Sequence, residues 1–168
     1  MIPVERNFLE LKDLKNLRFN STKQTKLTVK KIQPDFQLNK FFYKQVGKKH
    51  RWIDRLKWPD EKWIKYISNK NLETYVISDS DDLVGFFELL YNPQLKETEI
   101  SYFGLLEQYI GKGIGGDALS EAIKNSFERD INRVWLHTCT LDHPNALKNY
   151  IARGMTVFKK ENINILDS

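Results

Sequence analysis

The sequence predicts a single mixed α+β domain, in which about six or seven strands form a sheet flanked by helices. Its 168 residues suit one domain, and 40% of them are apolar, which is enough to build a core. Segments with the apolar pattern of strands are interleaved with segments of helical periodicity. No internal repeat or low-complexity linker divides the chain. The prediction is therefore one domain over residues 1–168.

The first half of the chain is predicted to contain three helices and one strand. Apolar residues recur at helical spacing in Asn7–Leu17, which predicts a helix and therefore an N-terminal helical extension over residues 1–22. Residues 26–32 alternate and are rich in β-branched side chains, as strands are. Helices are then expected at Phe36–Val46 and after Pro59, because each follows a proline, which is favoured at helix starts.

The second half of the chain is rich in predicted strands. Five apolar runs bounded by turn residues are predicted as strands: Thr74–Ser78, Leu83–Tyr91, Glu99–Leu106, Arg133–Leu141 and Met155–Lys160. Two segments with apolar residues at helical spacing are predicted as helices: Gly113–Arg129 and Ala146–Ile151. Gly154 follows the second helix and is expected to end it in the left-handed conformation.

The composition argues against several classes of function. The net charge is +5, but the basic residues are scattered, whereas nucleic-acid-binding proteins usually cluster them on one face. No apolar run approaches the roughly 20 residues that span a bilayer, and no signal peptide is visible. Cys139 is the single cysteine, which excludes an internal disulfide, and no metal-ligand spacing is present. We therefore expect a cytoplasmic protein without a nucleic-acid, membrane or metal partner.

A glycine-rich loop at Tyr109–Gly116 carries the strongest functional signal. Four of the six residues in Gly111–Gly116 are glycine, so the backbone can turn tightly and approach a ligand without interference from Cβ atoms. The loop opens a helix, whose first N–H groups have no intrahelical partner and lie at the positive end of the helix dipole. The sequence therefore predicts an anion site suited to a pyrophosphate.

Two other interpretations fit the same glycines. One is a flexible turn without a ligand, although the strand–loop–helix context favours a phosphate site. The other is the dinucleotide fingerprint, whose letters fit Gly111, Gly113 and Gly116. That fingerprint needs an acidic residue about 20 positions later, at the end of the next strand, but here that strand has only begun. The loop also lacks the lysine followed by Ser or Thr that marks a nucleotide P-loop.

The loop resembles the signature of the GNAT superfamily of acyltransferases. That signature, Gln/Arg-x-x-Gly-x-Gly/Ala, lies at the mouth of the helix after the family's fourth strand. Ile110–Gly115 matches its glycines and places Ile110 in the Gln/Arg position, while a register that begins at Gln108 also fits the letters. The first register is preferred because it leaves Gly116 and Asp117 inside the helix. Backbone amides hold the pyrophosphate in this family, so a change in the first side chain is tolerable.

A second segment, residues 143–155, resembles the family's Asn-x-x-Ala-x-x-x-Tyr-x-x-x-Gly-Phe stretch. Three positions match the pattern, and two replace its Asn and Phe: Ala146, Tyr150 and Gly154, then His143 and Met155. The family's Asn touches the cofactor, and the resemblance leaves open whether His143 or Asn145 takes its place. The resemblance covers residues 26–160, and the order and spacing of the two segments make it specific.

The resemblance implies a GNAT-like domain with a central, mostly antiparallel sheet. It also implies an N-acetyltransferase that moves an acetyl group from acetyl-CoA, as co-substrate, to a primary amine without a metal. A small-molecule amine is the expected acceptor, and a monomer or homodimer the expected state. A catalytically inactive CoA-binding or regulatory module of the same fold is the alternative. The resemblance assigns the cofactor to backbone groups of these residues: Leu105, Leu106, Ile110, Gly111, Lys112, Gly113, Ile114, Gly115 and Gly116.

Acetyl transfer to an amine needs a base for the amine and an acid for the departing thiolate. Glu99 is the candidate base, because it starts the strand that leads to the loop, where the superfamily often places a carboxylate. With strict alternation, its side of the strand continues through Ser101, Phe103 and Leu105. Glu88 is the alternative base, as a lone carboxylate in an apolar strand, unless it pairs with a nearby Lys or Arg. Tyr150 is the candidate acid, because the family places this hydroxyl beside the CoA sulfur.

The acceptor pocket is expected near a loop dense in tryptophan and charge. Trp52, Asp54 and Trp58 could hold a cationic amine through ring faces and a carboxylate, while packing of this loop onto the core is the alternative. His137 and Cys139 alternate on a later strand and are interpreted as structural, because neither has a catalytic partner beside it in the sequence.

Overall fold

One sheet of seven strands and four helices make up the part of the chain that the structure describes. The computed structural model describes residues 1–19 and 26–165. The strands are β1 (Ile2–Leu11), β2 (Leu27–Lys31), β3 (Leu72–Asp79), β4 (Asp82–Asn92), β5 (Glu97–Leu105), β6 (Arg133–Cys139) and β7 (Thr156–Ile165). The helices are α1 (Phe36–Gly47), α2 (Asp60–Ile67), α3 (Gly115–Ser126) and α4 (Ala146–Ala152). Each element predicted after residue 26 is present, with ends that differ by a few residues.

The strands follow the order β2-β3-β4-β5-β6-β1-β7 across the sheet. Strands β5 and β6 run parallel, and the other neighbouring pairs are antiparallel. Antiparallel neighbours can be joined by short turns, whereas the parallel pair needs the crossover that α3 provides. The prediction of a mixed α+β domain with a mostly antiparallel sheet is confirmed.

The first strand corrects the prediction of an N-terminal helix. β1 lies between β6 and β7, and its Phe8 is opposite His137 of β6. Leu9 and Leu11 face the core two residues apart, which is the period of a strand. Apolar spacing fitted a helix as well, but pairing with two strands outweighs such a weak local preference. Residues Leu14–Asn16 form a short 3₁₀ turn after the strand.

Helices cover both faces of the sheet. One face carries α3 and α4, and α3 buries four side chains in the larger core: Ala118, Leu119, Ala122 and Ile123. The opposite face carries α1 over β3 to β5, where the ring of Phe42 stacks on that of Phe86 with centroids 5.0 Å apart. These two layers leave β5 between two cores, with side chains directed to each.

Gly154 ends the α4 segment as predicted. Its φ of +100° lies in the left-handed region, which favours glycine. An added Cβ would lie 2.1 Å from the carbonyl oxygen of Asn16, because the N-terminal turn packs against this position. The N–H of Arg18 also donates to the carbonyl of Arg153 over 2.9 Å. This contact fixes the segment after β1 against the end of α4.

A β-bulge at Ser101 decides which way the side chains of β5 point. Ile100 is opposite Leu89 and Tyr102 is opposite Glu88, so Ser101 has no partner residue on β4. Ile100 therefore packs in the core on the α3 side, while Tyr102 packs on the α1 side. The expected alternation from the start of β5 through Ser101 is wrong, because the inserted residue reverses the faces.

The parallel pair of β5 and β6 separates soon after it begins. Pairing covers Glu97 to Glu99 on β5 and Arg133 to Trp135 on β6. Beyond these residues the two strands diverge, although each continues for several residues. The divergence opens a gap in the middle of the sheet, between the α3 face and the α1 face.

Candidate active site

A cleft of about 270 Å³ occupies this gap and reaches the glycine loop. The loop residues Gly111 and Gly113 have φ values of +80° and +76°, which explains why glycine is required at both positions. Side chains from the start of α4 and the residues before it form the opposite wall: His143, Asn145, Ala146, Asn149 and Tyr150. The predicted loop and the second motif are therefore brought together around one space.

The start of α3 is built to receive an anion. Ile114 is its N-cap residue and is buried, and within the described residues no side-chain cap is found at this helix start. Asn149 donates to the carbonyl of Gly115 over 3.1 Å, so α4 fixes the first turn in place. A Cβ at Gly116 would lie 2.1 Å from Nη1 of Arg153, which shows how closely the two helices approach. Uncapped amides, a glycine backbone and a neighbouring guanidinium fit a pyrophosphate.

The backbone of β5 presents one of the two predicted amides to the gap. The N–H of Leu106 donates to the carbonyl of Val84 over 2.8 Å, so Leu106 is bound to the neighbouring segment and lines neither cleft. Hydrogen-bonding directions alternate along an antiparallel strand, so the N–H of Leu105 points the other way, towards the gap. The assignment of Leu106 is therefore corrected, and Leu105 keeps its expected position.

A larger cleft of about 650 Å³ adjoins the first one on the α1 face. The two clefts share five lining residues, which mark the place where they meet: His50, Trp52, Phe103, Asp142 and Tyr150. Tyr150 is buried, and burial together with the charge of Asp142 raises the pKa of its phenol. The hydroxyl carries its proton at neutral pH, as an ordinary tyrosine does, and its place at the junction of the two clefts is what makes it a candidate proton donor.

Glu99 lines the larger cleft. Its side chain is half-buried, and burial raises the pKa of its carboxyl, an effect that Arg55 partly opposes. A carboxylate with a raised pKa is a better proton acceptor than an exposed one. The candidate base and the candidate acid thus both lie on the wall of the same cleft.

Glu88 has a different environment from Glu99. It is 1% exposed and lines neither cleft. Its carboxylate accepts hydrogen bonds from Tyr66 over 2.6 Å and from Asn39 over 2.9 Å, and Arg55 lies 3.4 Å away. Glu88 is therefore paired with an arginine, which was the structural alternative to a catalytic role in the sequence analysis. The geometry does not support Glu88 as the base.

The aromatic cluster near the second helix already surrounds a cation. Arg55 lies over the rings of Tyr66, Tyr102 and Trp58, at 4.0, 4.2 and 5.0 Å from their centroids. Trp58 also carries Lys62 over its ring at 4.5 Å and lines neither cleft. The expectation that Trp58 contacts the acceptor is corrected, because its faces hold the protein's own cations.

The other predicted acceptor residues do reach the clefts. Trp52 lines both clefts, and Asp54 lines the larger one from an exposed position. His143 and Asn145 both line the smaller cleft, where the N–H of Asn145 donates to Nδ1 of His143 over 3.1 Å. This hydrogen bond places the two residues side by side, so the geometry leaves either of them able to contact a cofactor.

His137 and Cys139 belong to the wall of the larger cleft as well. Burial raises the pKa of the Cys139 thiol, so it is not poised as a nucleophile. Burial and the charge of Arg6 lower the pKa of His137, whose ring lies 5.6 Å from that of Phe8. Both groups are neutral at physiological pH, and the described residues contain no cluster of His, Cys, Asp or Glu suited to a metal ion.

Several lining residues were not singled out from the sequence. Asn149 lies next to Tyr150 in the second motif, so its place on the same helix was a usable signal. Ser101 lies at the bulge, and its buried Oγ has no hydrogen-bond partner among the described residues. The place of Arg6 on the wall of the larger cleft could not be predicted, because β1 was predicted as a helix.

Residues 36–155 match the sequence model of the Acetyltransferase (GNAT) family. No curated protein sequence matches the chain significantly. In the described part of the chain, no helix has the length and apolar character to cross a membrane.

Solved structures with the same fold include both enzymes and a regulator. A GCN5-related N-acetyltransferase from Sphaerobacter thermophilus has a TM-score of 0.68 and 16% identity, over 94% of this chain and 49% of that one, so this chain spans about half its length. Spermidine N-acetyltransferase from Vibrio cholerae, in complex with CoA and spermine, has a TM-score of 0.63 and 20% identity, over 77% and 80%. A transcriptional regulator from Bacillus halodurans C-125 has a TM-score of 0.65 and 18% identity, over 84% and 99%.

At these identities the structural likeness is one of fold. The family match is separate from this likeness of fold, because it is made to the sequence of residues 36–155. That segment contains the residues where the two clefts meet, including Trp52 and Tyr150. The matched segment also contains the glycine loop and the second motif. The chain therefore belongs to the GNAT family of acetyltransferases.

Proposed function

We propose that this protein is an N-acetyltransferase that transfers an acetyl group from acetyl-CoA to a primary amine by direct attack in a ternary complex. The observation that carries the proposal is the junction of two clefts at Tyr150. The glycine cradle lies on one side of this junction, and Glu99 lies on the other. A donor and an acceptor bound in the two clefts would meet where a proton donor is already placed.

Acetyl-CoA supplies the acetyl group as a thioester whose carbonyl carbon can accept an amine. Its pyrophosphate fits the backbone N–H groups of Gly111–Gly116, with Lys112 on the exposed part of the loop. His143, Asn145 and Asn149 flank the same cleft and are the side chains placed to contact it. The amide of Leu105 faces the gap and can donate to the carbonyl oxygen, as an oxyanion hole does.

Glu99 and Tyr150 divide the proton transfers between them. An alkyl amine with a pKa near 10.4 is mostly charged at pH 7, and its deprotonation costs about 4.6 kcal/mol. Glu99 accepts that proton, which leaves a lone pair to form the C–N bond. Tyr150 donates its phenolic proton to the sulfur as the C–S bond breaks. The nitrogen then loses its second proton, which restores the phenol through solvent, and Glu99 releases its proton to solvent. The products are one N-acetylated amine and one free thiol.

The comparisons support the proposal at the level of the family. The Vibrio cholerae relative is a spermidine N-acetyltransferase whose structure contains CoA and spermine, which fits a small-molecule amine as acceptor. The alternative is a catalytically inactive CoA-binding or regulatory module. The Bacillus halodurans relative, a transcriptional regulator with 99% of its length covered, favours keeping it as the second candidate. A cytoplasmic location and a monomeric or homodimeric state stay predictions.

Release of free thiol from acetyl-CoA separates the two candidates. The protein is incubated with acetyl-CoA and a panel of primary amines, and thiol is measured against a sample without amine. An enzyme releases thiol with at least one amine in proportion to protein concentration, and mass spectrometry finds the acetylated amine. Binding of CoA by calorimetry without amine-dependent thiol release across the panel would favour the inactive module.

A further inference from the structure

The strand that sequence analysis missed forms one wall of the larger cleft. Val4 and Arg6 of β1 line it, together with Ile163 and Ile165 of β7. Both strands lie outside residues 36–155, which the family model matches. This end of the cleft is therefore built by parts of the chain that lie outside the family match.

The guanidinium of Arg6 does not have its hydrogen-bonding groups fully paired within the described residues. Its Nε atom is buried and has no hydrogen-bond partner among the described residues. Its Nη1 lies 3.9 Å from Oε2 of Glu161, which is the limit of an ion pair. Glu161 has a closer partner in Lys159, at 2.6 Å. A guanidinium that lines a cleft with an unpaired buried nitrogen is suited to an anionic ligand.

Two other charged residues of this cleft, Arg55 and Asp142, are engaged by the protein. Arg55 is paired with Glu88 and enclosed by aromatic rings. Asp142 accepts hydrogen bonds from the Thr138 hydroxyl over 2.5 Å and from the Cys139 N–H over 2.9 Å. Asp54 and Arg51 line the cleft from the loop between α1 and α2, so Glu99 and Arg6 are the acidic and basic groups that the sheet itself presents to an acceptor.

The register of the strands gives the separation of these two groups. Glu99 is aligned with Trp135 of β6, and Arg6 is opposite Cys139, four residues further along the same strand. At about 3.3 Å per residue and about 4.8 Å per strand spacing, their Cα atoms lie roughly 16 Å apart. Both side chains reach into the cleft and shorten this span. The remaining distance between the carboxylate of Glu99 and the guanidinium of Arg6 suits an acceptor with its amine and its anionic group at opposite ends of a short chain. It does not suit an acceptor that carries both groups on the same carbon atom.

We propose that the acceptor is an amino acid of the ω type, with its amine at Glu99 and its carboxylate held by the guanidinium of Arg6. A planar guanidinium donates two parallel hydrogen bonds to a carboxylate, which selects it over a neutral group. A polycationic acceptor is disfavoured, because its far end would meet Arg6. This inference rests on the proposed acetyltransferase function, and Arg6 acts in it as a specificity-determining residue.

Two acceptors of equal length test the proposal: ε-aminocaproate ends in a carboxylate, and hexylamine ends in a methyl group. For the native protein we expect a KM for ε-aminocaproate at least about 10-fold below that for hexylamine. Arg6→Gln should remove this preference by raising the KM for the amino acid about 10-fold or more above any change in the KM for hexylamine. Arg6→Lys should restore part of it, and Glu161→Gln is the control that should keep it. An equal preference in native and Arg6→Gln proteins would overturn the assignment.

Equilibrium binding keeps this test separate from the test of catalysis. Calorimetry with ε-aminocaproate, in the presence of CoA, reports the carboxylate site even if no amine is acetylated. Affinity that falls about 10-fold or more in Arg6→Gln supports the site, whereas equal affinity in native and Arg6→Gln proteins, or none in either, rejects it. Circular dichroism checks that each variant is folded. If Arg6→Gln does not fold, Arg6→Lys takes its place in the comparison. If no amine leads to release of thiol, that result contradicts the proposed acetyltransferase function and leaves the carboxylate site to be judged by the binding measurement.

Discussion

The guanidinium of Arg55 lies 3.4 Å from the carboxylate of Glu88, inside a cluster of aromatic rings. Both side chains are more than nine-tenths buried. This ion pair occupies the position from which Glu88 could otherwise act as a base, and it uses the ring faces that could otherwise hold a cationic amine. Glu88 therefore has a structural role, whereas Glu99 lines the cleft and is the candidate base.

Loss of Glu88 should affect stability far more than chemistry. Glu88→Gln leaves Arg55 as a buried charge without its counter-ion, and we expect the free energy of unfolding to fall by about 3 kcal/mol. Urea denaturation followed by circular dichroism measures it. Glu97→Gln, which removes a more exposed partner of Arg133, is the matched control and should cost no more than about 1 kcal/mol. Equal losses in the two variants would contradict the buried role of Glu88.

Glu99 should govern the dependence of the rate on pH. Its carboxyl must be ionised to accept a proton, so activity is lost as pH falls through its pKa. Because burial raises this pKa, the loss begins at a higher pH than for an exposed glutamate. Glu99→Gln should lower kcat/KM most below the pKa of the amine and recover partly at high pH, where free amine is abundant. A pH-dependent loss in Glu88→Gln, with Glu99→Gln unaffected, would move the base to Glu88.

Tyr150 should act on the departing thiol. Tyr150→Phe keeps the buried ring and removes the hydroxyl, so packing should survive while kcat falls about 10²-fold or more. The effect should shrink with acetyl thioesters of more acidic thiols, because a better leaving group needs less help from a proton. Turnover numbers with a poor and a good leaving thiol measure it. Full activity of Tyr150→Phe with both thioesters would remove the acid assignment.

The glycine cradle should tolerate no side chain at Gly113. Its φ of +76° is strained for a β-branched residue, and the cleft lies beside it, so Gly113→Val should weaken CoA binding strongly. Calorimetric titration with CoA measures the affinity. Gly154→Ala is the control, because a Cβ there meets Asn16 and lowers stability without touching the cleft. Native CoA affinity in a folded Gly113→Val protein would refute the cradle.

The side chain at Ile110 should matter little for CoA. If backbone amides hold the pyrophosphate, Ile110→Arg changes the affinity for CoA only modestly, by less than about 10-fold. The same titration measures it. A large loss in a folded protein would mean that the motif has been placed in the wrong register and that Gln108 occupies the first position.

Local patterns in the sequence predicted most of the fold, because strands and helices after residue 26 carry strong periodicity. The first strand was missed for a physical reason: Phe8, Leu11 and Leu14 are spaced as on a helix, while Leu9 and Leu11 are spaced as on a strand. Pairing with β6 and β7 decides between these patterns, and partners so distant in the chain leave no trace in a local window.

The candidate site was predictable where it depends on backbone and motif, and less so where it depends on tertiary contacts. The positive φ values of Gly111 and Gly113 and the place of Tyr150 on the cleft wall could be anticipated because the motifs that contain them are local in sequence. Trp58 was misassigned because only the folded chain shows that Arg55 covers its ring. The bulge at Ser101 likewise has no signature in the strand's own sequence, since the register of β4 creates it.

Two-substrate kinetics test the central claim, direct transfer between ligands that meet at Tyr150, most directly. Initial rates are measured while acetyl-CoA and an accepted amine are varied together. Direct attack in a ternary complex predicts reciprocal plots that intersect, and Cys139→Ser should keep its activity because the thiol takes no part. Parallel lines, with acetyl groups found on Cys139 and activity lost in Cys139→Ser, would contradict the account by showing that the acetyl group passes through the enzyme.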